Sequence, residues 1–370
     1  MTIRVGVNGF GTIGKRVADA VARQPDLELV GVAKTRPTFE ARRAIDRGYP
    51  LYVSGAGSPE KFEAVGLPVA GRLSELLAKV DVVVDATPED VGRENRSLYD
   101  AAGVHAVYQG GEEADVAEAS FSALANYDAG RGKRSLRVVS CNTTGIARAA
   151  SVLVPRWGVV HWNVTLVRRA ADPPESKRGP VNGIMPTMEV PSHHGPDART
   201  ILPELPISTA AVVVPTTLMH VHVNHVRLAR PPASTAELVA AFRATPRFHV
   251  FAPWEGVDGT PQVMEFARDR AGVGRATNAD MMENALWERG IRLQGNDAFF
   301  FQAIHQESIV VPENIDAIRA MFELADGPTS IALTDRALGL GVGAPAAGRA
   351  PPVVSPPGVG SHRGAPRTIL

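Results

Sequence analysis

The chain has 370 residues, 44% of them hydrophobic and 21% charged, with a formal net charge of zero and one cysteine. That length exceeds what one compact core ordinarily fills, so two domains are expected, and the balanced charge offers no basic field for nucleic acid or anionic lipid. One cysteine excludes an internal disulfide, no apolar run reaches the ~18–20 residues of a membrane span, and the N-terminus lacks a secretory pattern, so a cytoplasmic protein with no membrane partner is expected.

Residues 3–7 form a short β-branched run that predicts a strand. The sequence Asn8-Gly9-Phe10-Gly11-Thr12-Ile13-Gly14 follows it directly, and residues 14–23 carry Val17, Ala20 and Val21 at helical spacing. Strand, Gly-x-Gly-x-x-Gly and helix in this order predict a dinucleotide site. Gly9 makes the tight turn, Gly11 admits a pyrophosphate to the backbone and Gly14 lets helix and strand pack closely. The same turn also serves as a bare strand–helix junction, so the reading rests on context. Residues 27–33 predict a second strand, ending in Lys34-Thr35-Arg36. No carboxylate stands at that end to take the 2′-hydroxyl of NAD. Lys34 and Arg36 suit the 2′-phosphate of NADP and Thr35 can donate to it, which favours NADP or tolerance of both cofactors; a solvated basic loop is the competing reading, and Glu40, a few residues on, weakens the preference.

The run DVVVDA at residues 81–86 reads as a strand buried on both faces, and residues 106–108 and 136–139 as further strands. The expected fold class is α/β, with a Rossmann-type doubly wound domain first. Next comes Ser140-Cys141-Asn142-Thr143-Thr144-Gly145, at a strand-to-helix junction. A thiol there feels the positive end of the helix dipole, and nearby N–H and hydroxyl groups can hold an oxyanion. A small buried filler is the competing reading of Cys141.

Beyond residue 145, longer runs at 159–167, 210–215 and 218–228 predict an α+β second domain with a mixed or antiparallel sheet. His220 and His222 fall on one face of the third run and His225 on the other. With no second cysteine and no carboxylate beside them, no metal site is expected. The irregular segment 173–206 carries His193-His194, and with Arg168, Arg169, Lys177, Arg178 and Arg199 it offers groups for an anionic substrate. Residues 315–324 predict a helix, and residues 339–370 are so rich in Gly and Pro that a disordered tail is expected.

Taken together, NGFGTIGKRV, AKTRP, YQGGE, SCNTTG, RRAADP, KRGPVNGI, PSHHGPD, PTTLMH and FQAIHQES, in this order, resemble the archaeal-type (class II) phosphorylating glyceraldehyde-3-phosphate dehydrogenases. The resemblance implies that Cys141 attacks the aldehyde carbon of D-glyceraldehyde 3-phosphate and forms a thiohemiacetal. A histidine then takes the thiol proton and assists hydride transfer: His220 matches best, with His222 in reserve. Inorganic phosphate releases the thioester as 1,3-bisphosphoglycerate. Substrate contacts map onto Ser140, Cys141, Asn142, His194 and Gly195. Cofactor contacts map onto Thr12, Ile13, Gly110, Arg169 and Gln302. The family uses NAD and NADP, often preferring NADP, and assembles as homotetramers through the second domain's sheet. It implies a nucleotide domain of residues 1–139 and 301–338 around a catalytic domain of 140–300. The tail departs from the family. Two other readings share much of the layout: a semialdehyde or acyl-phosphate dehydrogenase such as aspartate-semialdehyde dehydrogenase or N-acetyl-glutamyl-phosphate reductase, and a non-catalytic nucleotide sensor.

Overall fold

The computed structural model describes residues 2–109, 111–171, 179, 182–270 and 280–341. The first sheet contains β1 (Ile3–Asn8), β2 (Leu27–Lys34), β3 (Leu51–Val53), β4 (Gly71–Arg72), β5 (Val82–Asp85), β6 (His105–Tyr108), β7 (Ala119–Phe121) and β8 (Ser135–Val138). Its order is β4-β3-β2-β1-β5-β6-β8-β7 and every pair is parallel. The crossovers carry α1 (Thr12–Val21), α2 (Phe39–Asp46), α3 (Pro59–Glu63), α4 (Leu73–Leu77), α5 (Val91–Ala102) and α6 (Ala123–Asn126). The apolar run at β5 behaves as a strand between two layers must. Val82 and Val84 pack with α1 on one side, and Val83 packs with Leu76 and Tyr99 on the other.

Helix α7 (Cys141–Trp157) leads out of β8 into the second unit. There follow β9 (Val159–Arg169), β10 (Met185–Pro186), α8 (His194–Arg199), β11 (Ile207–Val214), β12 (His220–Leu228), α9 (Thr235–Ala244), β13 (Phe248–Phe251), α10 (Thr260–Asp269), β14 (Asn284–Trp287), β15 (Arg292–Gln294) and β16 (Asp297–Ile304). The sheet runs β10-β11-β9-β12-β16-β14-β13, with β15 on β16, and is mixed: β9/β11 and β13/β14 are parallel and the other pairs antiparallel. One face packs Trp162, Leu166 and Phe300 against Ile146 and Leu153 of α7 and Phe242 of α9. The other leaves Val223 and Phe301 exposed.

The chain then returns to the first unit through α11 (Val311–Met321) and α12 (Gly327–Leu338). Ile315 and Ile318 of α11 pack with Val17 and Val21 of α1. Strand β16 stays paired with β12 through Ile304, and α11 begins at Val311. The ordered fold also continues past residue 338, since Leu340 is buried in the first core and the Gly341 N–H donates to Glu283. Residues 342–370, the rest of the expected tail, lie outside the described residues.

A buried ionic cluster joins the two units. Arg148 of α7 pairs with Glu313 of α11 at 2.7 Å, and Arg247, just before β13, meets Glu313 at 3.1 Å, Asp316 at 2.5 Å and Asp335 of α12 at 2.9 Å. These charges stay buried because each has opposite partners and hydrogen bonds.

Candidate active site

The glycine turn has the shape the motif predicts. Gly9 sits at φ +99°, and a Cβ there would meet the Ala86 carbonyl at 2.5 Å. A Cβ on Gly14 would meet the Gly9 carbonyl oxygen at 1.9 Å, so helix and turn touch backbone to backbone. At Gly11 a Cβ would meet nothing within 4 Å. No side chain caps α1, which begins at Thr12 and Ile13. The helix thus presents its first N–H groups beside a space that, at Gly11, no atom of the described residues fills, which fits a pyrophosphate.

At the end of β2, the Lys34 ammonium donates to the Phe10 carbonyl at 3.2 Å and pairs with Glu40 at 3.5 Å. Burial lowers the Lys34 pKa, and the Glu40 charge pulls against it. Thr35 Oγ1 shares a hydrogen bond with Ser54 Oγ at 3.3 Å. Gly110 lies outside the described residues, as do Lys177 and Arg178.

Cys141 is the first residue of α7 and is half-buried. Ser140 caps the helix, its Oγ accepting from the Thr143 N–H at 3.4 Å. The Thr143 hydroxyl donates to Asp197 of α8, which also receives Arg137 of β8 at 2.6 Å. Strand, helix start and α8 are therefore tied at one carboxylate. This fixes where the sulfur sits.

The two histidines of β12 differ in their commitments. His222 uses both ring nitrogens: Nε2 meets Asn142 Oδ1 at 2.9 Å and Nδ1 meets Gln302 Nε2 at 3.1 Å. The Gln302 carbonyl in turn accepts from Asn284 Nδ2 at 3.1 Å, and Asn284 Oδ1 accepts from Arg148 at 3.2 Å. An amide donating to Nδ1 leaves the ring proton on Nε2, donated to Asn142. Burial holds the His222 pKa down to about 3, so the ring is neutral. His222 thus fixes the residue after Cys141. Gln302, which the resemblance mapped to the cofactor, has no exposed surface and spends its amide on this chain.

His220 commits one nitrogen. Its Nδ1 accepts from the Arg169 N–H at 3.0 Å. Burial, then the charges of Arg169, His222, Arg168 and His194, push its pKa well below the usual value. The neutral ring therefore carries its proton on Nε2, the nitrogen left for a ligand. Met219, immediately before it, adopts φ +66°, where the chain bends into β12.

His194 opens α8 and stacks on His193 with centroids 4.0 Å apart. The Thr209 hydroxyl donates to the Ser192 carbonyl at 2.9 Å and accepts both the Ser192 hydroxyl at 2.9 Å and the Gly195 N–H at 3.0 Å. Ser192 Oγ, its proton spent, accepts from His194 Nδ1 at 3.1 Å. His194 Nε2 is then an acceptor. Burial, then His193, Arg168 and His222, bring its pKa down to about 3. Arg168 is the cation felt by both His194 and His220, and its buried Nε has no hydrogen-bond partner among the described residues. Thr209 and Asn284 support this site without any motif of their own in the sequence, and Asp197, the last residue of PSHHGPD, was not singled out there.

Comparison with known proteins agrees with this architecture. A family model described as the C-terminal domain of glyceraldehyde 3-phosphate dehydrogenase matches residues 140–282. One described as the N-terminus of dihydrodipicolinate reductase matches residues 3–118. The glyceraldehyde-3-phosphate dehydrogenases of Pyrococcus abyssi and Thermococcus kodakarensis are each 51% identical over 340 residues, 92% of this chain and 99% of theirs. That of Archaeoglobus fulgidus is 49% identical over 343 residues, again 92% and 99%.

Proposed function

The chain belongs to the glyceraldehyde-3-phosphate dehydrogenase family, and from that premise we propose that it oxidises D-glyceraldehyde 3-phosphate in the phosphorylating manner, through a thioester on Cys141. It is a dehydrogenase with a pyridine-nucleotide site. The observation that carries the reading is the start of α7: the sole cysteine is the first residue of that helix, next to an Asn142 locked by His222, which lies two residues from His220 on the same strand face.

The helix dipole favours the thiolate of Cys141, with its proton lost to water. Sulfur adds to the aldehyde carbon and the carbonyl oxygen becomes an alkoxide. His220 donates its Nε2 proton as a hydrogen bond to that oxygen, which stabilises the charge where it develops. This differs from the proton-acceptor role the resemblance implies, because the Arg169 N–H occupies Nδ1. Bound NAD(P)+ supplies the hydride acceptor. As hydride leaves the carbon, the alkoxide closes to the thioester. Hydrogen phosphate attacks the acyl carbon, the Cys141 sulfur leaves as thiolate, and the phosphate proton goes to water. Arg168 anchors the substrate phosphate, and His194 Nε2 accepts from the substrate hydroxyl. Ser140 and Gly195 line the same pocket. Gly9, Gly11, Thr12, Ile13 and Gly14 hold the pyrophosphate, Arg169 borders the nicotinamide side, and Lys34 with Thr35 favours NADP in a site that takes both nucleotides.

The exposed Val223 and Phe301, paired on the open face of the second sheet, support assembly of copies into a tetramer. No helix among the described residues is long and apolar enough to cross a membrane, and the single cysteine supports a cytoplasmic setting. The test is steady-state turnover of glyceraldehyde 3-phosphate with and without phosphate or arsenate. Turnover that requires either anion is expected. A rate independent of both overturns the phosphorylating reading, and turnover of aspartate semialdehyde alone overturns the substrate.

A further inference from the structure

An NAD site normally places a carboxylate at the end of the second strand to accept the ribose 2′-hydroxyl. In sequence order this chain has Lys34-Thr35-Arg36 there. In space it has a carboxylate. Thr38 caps α2, and Glu40 in the first turn of that helix folds back to within 3.5 Å of Lys34 Nζ. The Thr38 hydroxyl bonds the same carboxylate oxygen, Oε2, and holds it in place. Lys34 is also bonded to the carbonyl of Phe10, inside the glycine turn, so Glu40 stands beside the nucleotide cradle. Each side chain of the pair keeps 16% of its surface open. Lys15 on α1 and Arg36 are the other charges acting on this pair.

We infer that Glu40 is a specificity residue for the dinucleotide: it accepts the 2′-hydroxyl of NAD and opposes the 2′-phosphate of NADP by its charge and by occupying Lys34. This rests on the reading that a pyridine nucleotide binds at the glycine turn. A 2′-phosphate must displace Glu40 from Lys34, and its own negative charge then lies beside the carboxylate. Glu40→Gln keeps the shape, removes the charge and releases Lys34 beside Arg36 and Lys15. Lys34 and Glu40 are thus opposed parts of one selector, which makes acceptance of both nucleotides a consequence of their pairing.

Isothermal titration with ADP-ribose and with 2′-phospho-ADP-ribose reads this without turnover, using the wild-type chain, Glu40→Gln, Lys34→Ala and Gly11→Val. A charged hydrogen bond at such a site is worth about tenfold or more in affinity. Glu40→Gln is expected to move the ratio of the two dissociation constants at least about fivefold toward the phosphorylated ligand, and Lys34→Ala to move it the other way. Gly11→Val, whose side chain meets no protein atom at Cβ but fills the cradle, is expected to weaken both ligands together. If Gly11→Val binds both as wild type does, the location of the nucleotide is wrong. If Gly11→Val abolishes binding while Glu40→Gln shifts the ratio less than fivefold or toward ADP-ribose, the location stands and Glu40 is not the selector.

Discussion

The two histidines of β12 make opposite predictions. His220→Asn is the sharper perturbation, because Asn Oδ1 falls where Nδ1 was and can still accept the Arg169 N–H, while the group at Nε2 is removed. Loss of one donor to a developing oxyanion lowers kcat by about 10²–10³-fold, about 2.7–4 kcal/mol. Stability should change little, since the buried backbone donor keeps a partner. His222→Phe does the reverse. It leaves Asn142 Oδ1 and Gln302 Nε2 without the bonds they now make at 2.9 and 3.1 Å. Gln302 Nε2 keeps the Gly145 carbonyl at 3.4 Å, so one group, Asn142 Oδ1, is left unsatisfied, at a cost of about 1–3 kcal/mol of stability. His222→Gln, which can still donate toward Asn142, should recover part of it. Single-turnover stopped-flow at nucleotide saturation and chemical denaturation measure the two quantities. A His222→Phe protein that melts normally but has lost its chemical step, beside a fully active His220→Asn protein, refutes the assignment.

Arg148→Met should lower stability by about 3–5 kcal/mol, toward the smaller figure because Glu313 keeps Arg247 at 3.1 Å; a shift in the denaturant midpoint reports it. Acid should destabilise the fold through its buried neutral histidines. His194 and His222 hold their pKa values at about 3 in the fold, against about 6.5 when unfolded, so the unfolded chain binds the extra protons. Their stability contribution is full above pH 6.5 and is lost as pH falls toward 3, at up to about 1.4 kcal/mol per unit per histidine. Glu283, held down to about 2 by Arg270 against the burial that raises it, contributes only at lower pH. A stability profile flat between pH 6.5 and 4.5 contradicts the buried neutral histidines.

How much of this was legible in the sequence depends on range. The DVVVDA run, the glycine turn and the strand bearing His220 are local patterns whose period or spacing is visible without the fold. Strands of two or three residues, such as β3 and β4, are too short to show a period. Cys141 was legible as a helix-start thiol. The commitments that separate His220 from His222 were not, because they join Asn142, His222, Gln302 and Asn284 across as many as 160 residues. Glu40 was visible as a caution against NADP. Its reach to Lys34 needed the turn that starts α2, which sequence spacing alone does not specify. Residue 301 carries no turn signal, because it lies inside the run FFFQAI of β16, so the end of that strand is not marked there in the sequence.

The central claim is that an acyl group passes through the Cys141 sulfur. Rapid-quench mass spectrometry of the protein, mixed with glyceraldehyde 3-phosphate and NAD(P)+ in phosphate-free buffer, measures it directly. The account predicts one phosphoglyceroyl group per chain, located on the peptide carrying Cys141, formed as fast as reduced nucleotide appears and discharged when phosphate is added. Reduced nucleotide appearing at full rate with the Cys141 peptide unmodified, or equally in a Cys141→Ser protein, would contradict it.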